Sequence, residues 1–337
     1  MSHVIDVYNP YENQVVTKYY VDIVEKALES IGYQINEISS LEKGKNHENI
    51  FVVYPYDCYR AHMRGYKNII LWIQGISPEE SYMRNKSKMR FYFLSFREWL
   101  GLRYADKIIM VSKKMCEHYN RKYHMALKRD IFYMPCFNSE LDNDCFFVKD
   151  KYSEQTFVYA GGLAVWQCFE QSARLFSKIE KKLPNSRLNV YTAQKEEAER
   201  IIRKYGIKKY SIDFLSPEEL SVQLKKAKYG FVLREDNEIN RVATPTKISS
   251  YVADGVMPIY SSCLNDFHNE VNGKKYFISI SNEIDSDENL EKIVSHSQIQ
   301  VNPAEIQAEY QGLFRKYYNS DYYVEKLRDF FLNNTER

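Results

Sequence analysis

The stretch that decides the fold is Tyr229–Ser261, YGFVLREDNEINRVATPTKISSYVADGVMPIYS. A short apolar run, Gly230–Leu233, has the length and β-branched content of a buried strand and ends in Arg234. A polar loop follows, carrying Asn237, Glu238, Asn240 and Arg241. Thr244 suits a helix N-cap and Pro245 the first helical position, so a helix over Thr246–Ala253 is expected. Met257–Ser261 then reads as the next strand. Strand, loop, helix, strand in about thirty residues is the unit of a parallel α/β sheet. Lys247 falls in the first helical turn, where the helix dipole disfavours a cation. A lysine there makes sense if an anion sits between it and the free N–H groups of the helix start, with Arg234 as the second arm of a diphosphate clamp. The plain alternative is a solvated lysine and a salt-bridged arginine.

Working outward, the same alternation fills the chain. In the first half, apolar runs at His3–Tyr8, Ile50–Tyr54, Ile69–Ile73, Lys107–Val111 and Ile131–Met134 flank helical patterns at Val15–Ile31, Tyr82–Arg103 and Lys113–Tyr123. In the second half, runs at Phe157–Ala160, Leu188–Tyr191, Ser211–Leu215, Gly230–Leu233, Met257–Ser261 and Tyr276–Ile280 alternate with further helical patterns. The fold class is therefore α/β, with two Rossmann-like, doubly wound domains. A polar stretch near Lys149–Gln155 separates them, which gives domains at 1–150 and 151–318. The tail 319–337 contains one more amphipathic helix, Tyr322–Leu332.

Ligands of open α/β sheets bind at the carboxyl ends of the strands. The residues just after the runs are Gln74-Gly75, Gly161-Gly162, Thr192, Arg234 and Ser262. Glycine is scarce, 12 of 337 residues. A Gly-Gly pair after a strand is then informative, because it lets the backbone approach a ligand closely; a tight strand-to-helix turn explains it equally well.

Composition narrows the function. The net charge is +2, from 47 basic and 45 acidic residues. That balance argues against a dedicated nucleic-acid binder. No apolar run approaches the roughly 20 residues that span a bilayer. The segment Met1–Val7 reads as a first strand, not a signal peptide. Cys58, Cys116, Cys136, Cys145, Cys168 and Cys263 form no C-x-x-C pair, which suits reduced thiols in the cytoplasm. The 7 histidines show no zinc spacing. Asp142-Asn143-Asp144 and Asp285-Ser286-Asp287 match the D-x-D pattern of metal-dependent transferases. Both lie in acidic loops, and no metal is expected. His62, between Arg60 and Arg64, reads as part of a surface helix rather than an acceptor-phosphate site. Tyr82–Arg103 carries Arg84, Lys86, Lys88, Arg90, Arg97 and Arg103, with Met89, Phe93, Phe96 and Leu100 in a stripe at helical spacing. The stripe belongs either to the core or to a basic amphipathic helix lying on an anionic, inner-membrane surface.

The run R-E-D-N-x-x-N-x-V-A-T-P-T-K-x-x-x-Y-x-A-x-G-x-x-P-I resembles the donor-site segment of GT-B glycosyltransferases in the broad retaining family 4-like group. Those enzymes assemble bacterial surface polysaccharides. Three weaker segments agree in order and spacing. Tyr159–Gly162 with Trp166-Gln167 resembles the start of the family's C-terminal domain. Ile70–Ser81 resembles its H-G-x-x-P-E-E segment, and Tyr104–Tyr119 its A-D-x-I-x-x-V-S-x-x-M segment. The resemblance covers about 70–320 and implies two domains facing a cleft. It also implies that the C-terminal helix crosses back to the N-terminal, acceptor-side domain. Arg234 and Lys247 would carry the catalytic, leaving-group role. Gly161, Gly162, Thr192, Asn240, Thr244, Pro245 and Ser250 would hold the nucleotide-sugar, a UDP-sugar by preference. Gln74, Gly75 and Glu238 would face substrate, a glycan or lipid-linked acceptor. Two positions depart from the family: Ser250 replaces a ribose-binding glutamate, and Gln74 a common histidine. Trp166-Gln167 stands where an Arg-x-x-x-x-Lys-Gly clamp is common. The implied activity is metal-independent transfer of a sugar with retention. The rival readings are a non-catalytic GT-B subunit that binds a partner transferase or glycan, and a sugar-nucleotide epimerase or other GT-B enzyme.

Overall fold

The computed structural model describes residues 3–10, 15–44, 48–125 and 130–332. The chain divides into two compact units. The first comprises Met1–Cys136, Val242–Thr244 and Asn319–Arg337; the second comprises Phe137–Arg241 and Pro245–Tyr318. Each is built on a six-stranded, all-parallel sheet with interleaved helices.

In the first unit the strands are β1 (His3–Tyr8), β2 (Tyr33–Ile38), β3 (Asn49–Val52), β4 (Asn68–Ile73), β5 (Lys107–Met110) and β6 (Asp130–Tyr133), in the order 2-1-3-4-5-6. Residues Met1 and Ser2 of the expected first strand lie outside the described residues. β3 and β4 are buried on both faces, which is why they read as unbroken apolar runs. β2, YQINEI, gave no such run: it is an edge strand, only partly buried, with Gln34, Asn36 and Glu37 among its six residues. Tyr20 and Trp72, both fully buried, pack at 4.6 Å between ring centroids. The helix Ser320–Leu332 packs on the helix Val15–Glu29 and sets Phe330 against Phe132 at 5.4 Å.

The expected helix over Tyr82–Arg103 is two helices, Ser77–Asn85 and Lys88–Leu102. Lys86 closes the first in a left-handed conformation, φ 53°, and the Ser87 hydroxyl caps the second by accepting from the Arg90 amide. The stripe is not core at its centre: Met89, Phe93 and Phe96 are exposed. The helix Pro55–His62 puts His62 in a stack on Tyr104, with Arg60 paired to Asp57 and Arg64 to Glu42.

In the second unit β7 (Thr156–Ala160), β8 (Arg187–Tyr191), β9 (Tyr210–Asp213), β10 (Tyr229–Val232), β11 (Met257–Ser261) and β12 (Ile278–Ile280) lie in the order 12-11-10-7-8-9. This is the doubly wound order with its switch point between β7 and β10. Phe157, at the centre, contacts the rings of Tyr229, Phe231 and Phe176. Lys151, in the polar stretch 149–155, is buried and donates to the carbonyls of Asp254 and Cys145.

At the switch point a glycine sets the geometry. A Cβ on Gly230 would lie 2.4 Å from the Tyr251 ring, so only glycine lets the helix Thr246–Ala253 approach β10 this closely. The β10–β7 ladder pairs Tyr229 with Phe157 and Gly230 with Val158. Further along, the Ala160 amide donates to the Tyr251 hydroxyl at 2.9 Å. Gly230 thus admits Tyr251, and Tyr251 ties the end of β7 to the helix that carries Lys247.

Candidate nucleotide-sugar site

The end of β7 delivers Gly161 at φ +122°, a region that side chains rarely adopt. Its absent Cβ leaves room for Lys247: a Cβ there would stand 3.2 Å from Lys247 Cε and 3.3 Å from Nζ. Lys247 Nζ donates to Gln167 Oε1 at 3.1 Å and lies 4.0 Å from the centroid of the Tyr159 ring. The end of β10 delivers Arg234, which is 5% exposed. Its amide donates to Ser261 Oγ, and its Nη1 donates to the carbonyls of Leu233 and Gln167. Gln167 therefore anchors both cations, one through its side chain and one through its backbone.

Neither cation has a carboxylate partner among the described residues; their neighbours are amide oxygens, tyrosines and cysteines. Burial lowers the pKa of Arg234. Burial, reinforced by the nearby Arg234 charge, pushes the Lys247 ammonium well below the usual lysine range. Buried charges are normally paired, because leaving water costs several kcal/mol per ion. Here two like charges are held together with no carboxylate beside them among the described residues.

The helix Thr246–Ala253 adds to this. No side chain among the described residues caps its N-terminus, and in its first turn the Ile248 amide donates to the Pro245 carbonyl at 3.1 Å. The sequence placed Thr244 at the N-cap and Pro245 inside the helix. In the structure Pro245 is the cap and Thr246 the first helical residue. Thr244 is buried in the first unit, where its hydroxyl accepts from the Cys136 amide at 2.9 Å and is not available to cap. Lys247 remains in the first turn.

The other expected site residues separate into groups. Gly162 lies beside Gln194, whose Oε1 accepts from the Leu163 amide at 2.8 Å. Thr192, buried, accepts from the Gln194 amide, so it shapes that loop. Asn240, buried, donates its side-chain amide to the Glu235 carbonyl and its backbone amide to Asn237 Oδ1, which fixes the loop after Arg234. Glu238 opens the short helix Glu238–Val242 and receives Arg241. The Ser250 hydroxyl donates toward Asn138 Oδ1 and the Thr246 carbonyl, and accepts from Ser139. Gln74 and Gly75 follow β4 in the first unit. Gln74 donates to Thr17, and the Tyr119 hydroxyl donates to the Gly75 carbonyl.

Sequence reasoning missed Gln167, Gln194 and Tyr159 as members of the cradle. In the sequence Gln167 shows only as a departure from the clamp of the GT-B enzymes the chain resembles; the residue after it, Cys168, takes a left-handed conformation, φ 52°. Of the two D-x-D stretches, Asp142 is held by Lys225 and Asp285 by Arg174. No group of three His, Cys, Asp or Glu suited to a metal occurs among the described residues.

No family model matches the chain, and no curated protein matches it by sequence. Its fold is shared by solved structures of glycosyltransferases with the GT-B architecture. Sucrose-phosphate synthase from Thermosynechococcus elongatus matches with a TM-score of 0.68 at 13% identity, covering 98% of each chain. An α,α-trehalose-phosphate synthase (UDP-forming) from Burkholderia vietnamiensis matches at 0.58 and 11%, over 94% of this chain and 79% of that one. TarM from S. aureus, in a complex with fondaparinux, α-GlcNAc-glycerol and UDP, matches at 0.59 and 10%, over 86% of this chain and 57% of that one.

Proposed function

We propose that this protein is a glycosyltransferase that moves a sugar from a nucleotide-sugar donor, a UDP-sugar, to a glycan or lipid-linked acceptor in cell-surface polysaccharide assembly. The observation that carries the reading is the pair of cations, Arg234 and Lys247, with no carboxylate partner among the described residues, at the switch point of a Rossmann-like sheet. The uncapped helix start and the Gly161-Gly162 loop lie with them. A diphosphate supplies the missing negative charge. As the bond to the sugar breaks, charge grows on the leaving phosphate, and preorganised cations and amides stabilise it more than they stabilise the ground state. Arg234, Lys247 and the first amides of the helix take that role, so transfer needs no metal. Gly162, Thr192 and Gln194 shape the floor of the donor site, and Ser250 lies on the ribose side. Glu238 is the candidate for contact with the sugar in the second unit, and Gln74 and Gly75 are the candidates for contact with the acceptor in the first. UDP, named for two of the three structures described above, supports the choice of nucleotide. None of the six cysteines is in a disulfide, in keeping with work in the cytoplasm.

The test is a thermal-shift screen against UDP-, GDP-, CMP- and dTDP-sugars in excess EDTA. The account expects a UDP-sugar to raise the melting temperature with EDTA present. A shift that requires Mn²⁺, or none with any nucleotide sugar, contradicts it.

A further inference from the structure

The helix Lys88–Leu102 presents to solvent a set of side chains that a folded protein ordinarily hides. Met89 is 85% exposed, Tyr92 68%, Phe93 59% and Phe96 57%. At about 100° per residue, Met89, Phe93 and Phe96 fall within about 60° of one another around the helix axis, with Tyr92 beside them. Isolated exposed aromatics are ordinary; four large apolar side chains on two turns of one helix mark an interaction surface.

The charges around them say what kind. Lys88 lies on one side of the apolar strip and Arg90 and Arg97 on the other. Lys86 precedes the helix and Arg103 follows it. Arg97 lays its guanidinium over the rings of Tyr56 and Phe93, and Arg103 over Trp99, so cation and aromatic ring stand side by side along this helix. The helix has a single carboxylate, Glu98, and it is on the opposite face, buried and tied to Lys122 and the Tyr123 hydroxyl. The exposed face is thus apolar at its centre, cationic at both borders and free of acid. That pattern fits the boundary between headgroups and acyl chains of an anionic bilayer, where apolar side chains enter the interface and lysines and arginines reach the phosphates. No helix among the described residues is long and apolar enough to cross a membrane, so this contact is peripheral.

We propose that the Lys88–Leu102 helix is a membrane-docking element that seats the protein on an anionic lipid surface through Met89, Tyr92, Phe93 and Phe96. The inference rests on this surface alone and does not depend on the donor site.

Vesicle co-sedimentation tests it, with the full chain, phosphatidylcholine vesicles, and vesicles in which a third of the lipid is phosphatidylglycerol. The protein partitions to the anionic vesicles, and raising the salt from about 0.1 to 0.5 M weakens that partition by about tenfold or more, since screening shortens the reach of the lysines and arginines. The double variant Phe93→Ala/Phe96→Ala and the double variant Lys86→Glu/Lys88→Glu each lower it by about tenfold. All four side chains are solvent-exposed or border the exposed face, so both variants keep the wild-type melting temperature. No partition of the wild type, equal partition to both vesicle types, or unchanged partition in both variants overturns the proposal. Concentration-dependent dimerisation in sedimentation velocity, abolished by Phe93→Ala/Phe96→Ala while vesicle binding is absent, assigns the face to a second copy of the chain instead.

Discussion

Replacing Lys247 with methionine should separate stability from binding, in opposite directions. Methionine keeps the length and the apolar stem, so the groove beside Gly161 stays filled. The charge goes, and with it one hydrogen bond to Gln167 and the contact with the Tyr159 ring. A hydrogen bond to a charged group contributes about 1.5–3 kcal/mol, and a cation over an aromatic ring about 0.5–2 kcal/mol. Against them stand the desolvation of a buried ammonium, several kcal/mol, and repulsion from Arg234. The depressed pKa of Lys247 gives the sign: in the folded protein the charged form is disfavoured relative to the unfolded chain. Below the ordinary lysine pKa the unfolded chain therefore binds more protons, and Lys247 is a net cost to folding at neutral pH. Lys247→Met should stabilise the ligand-free protein by about 1 kcal/mol, a rise of about 2–4 °C in Tm for a unit of this size. The same change removes a charge-assisted contact to the diphosphate, so UDP affinity should fall about tenfold to a hundredfold. Differential scanning calorimetry and isothermal titration calorimetry read the two quantities. A destabilised variant, or one with unchanged UDP affinity, refutes the argument that this lysine is held in waiting for an anion.

Three further outcomes follow from particular contacts. Gly161→Ala should lose about 1–2 kcal/mol, because alanine is strained at φ +122° and its Cβ crowds Lys247 Cε; UDP affinity falls with it, and a variant with native stability and affinity would remove Gly161 from the site. Ser250→Glu should tighten UDP binding about fivefold, as a carboxylate on ribose hydroxyls exceeds a neutral hydroxyl by about 1 kcal/mol. Unchanged or weaker binding in a folded variant places the ribose elsewhere. Burial, with Glu37 and Asp22 nearby, raises Glu25 to about 7, so its folded form prefers the proton. The resulting penalty is absent below pH 4.5 and complete above pH 7. Glu25→Gln should then raise stability at pH 7.5 by about 1–3 kcal/mol and leave it unchanged at pH 4, and equal effects at both pH values would contradict the assignment.

Much of the fold is legible in the sequence because parallel sheets bury both faces of their strands. β4, NIILWI, and β10, YGFV, stand out as apolar runs with charged or polar residues at their ends. β2 does not, since an edge strand carries polar side chains that nothing forces inward. The break at Lys86-Ser87 was hidden inside a continuous amphipathic pattern, although Ser87 is a good cap. The exposure of Phe93 and Phe96 was undecidable from spacing, because a core stripe and a docking stripe repeat at the same interval. In the candidate site, Arg234, Lys247 and Gly161 stand out in the sequence, each as a residue type out of place: a cation ending a buried strand, a lysine at a helix start, and a glycine pair in a glycine-poor chain. Gln167 does not, because its partners Arg234 and Lys247 lie 67 and 80 residues away and no pattern of residue types links them. The Thr244 side chain was assigned to the wrong amide for a similar reason: its true donor, Cys136, is 108 residues away.

The central claim is that Arg234 and Lys247 form the phosphate clamp of a nucleotide-sugar donor site. A crystal structure of the protein with UDP, grown in EDTA, measures it directly. The account predicts the diphosphate within hydrogen-bond distance of Lys247 Nζ, of the Arg234 guanidinium and of the first amides of the Thr246–Ala253 helix. A nucleotide bound elsewhere, or a diphosphate touching neither cation, contradicts it.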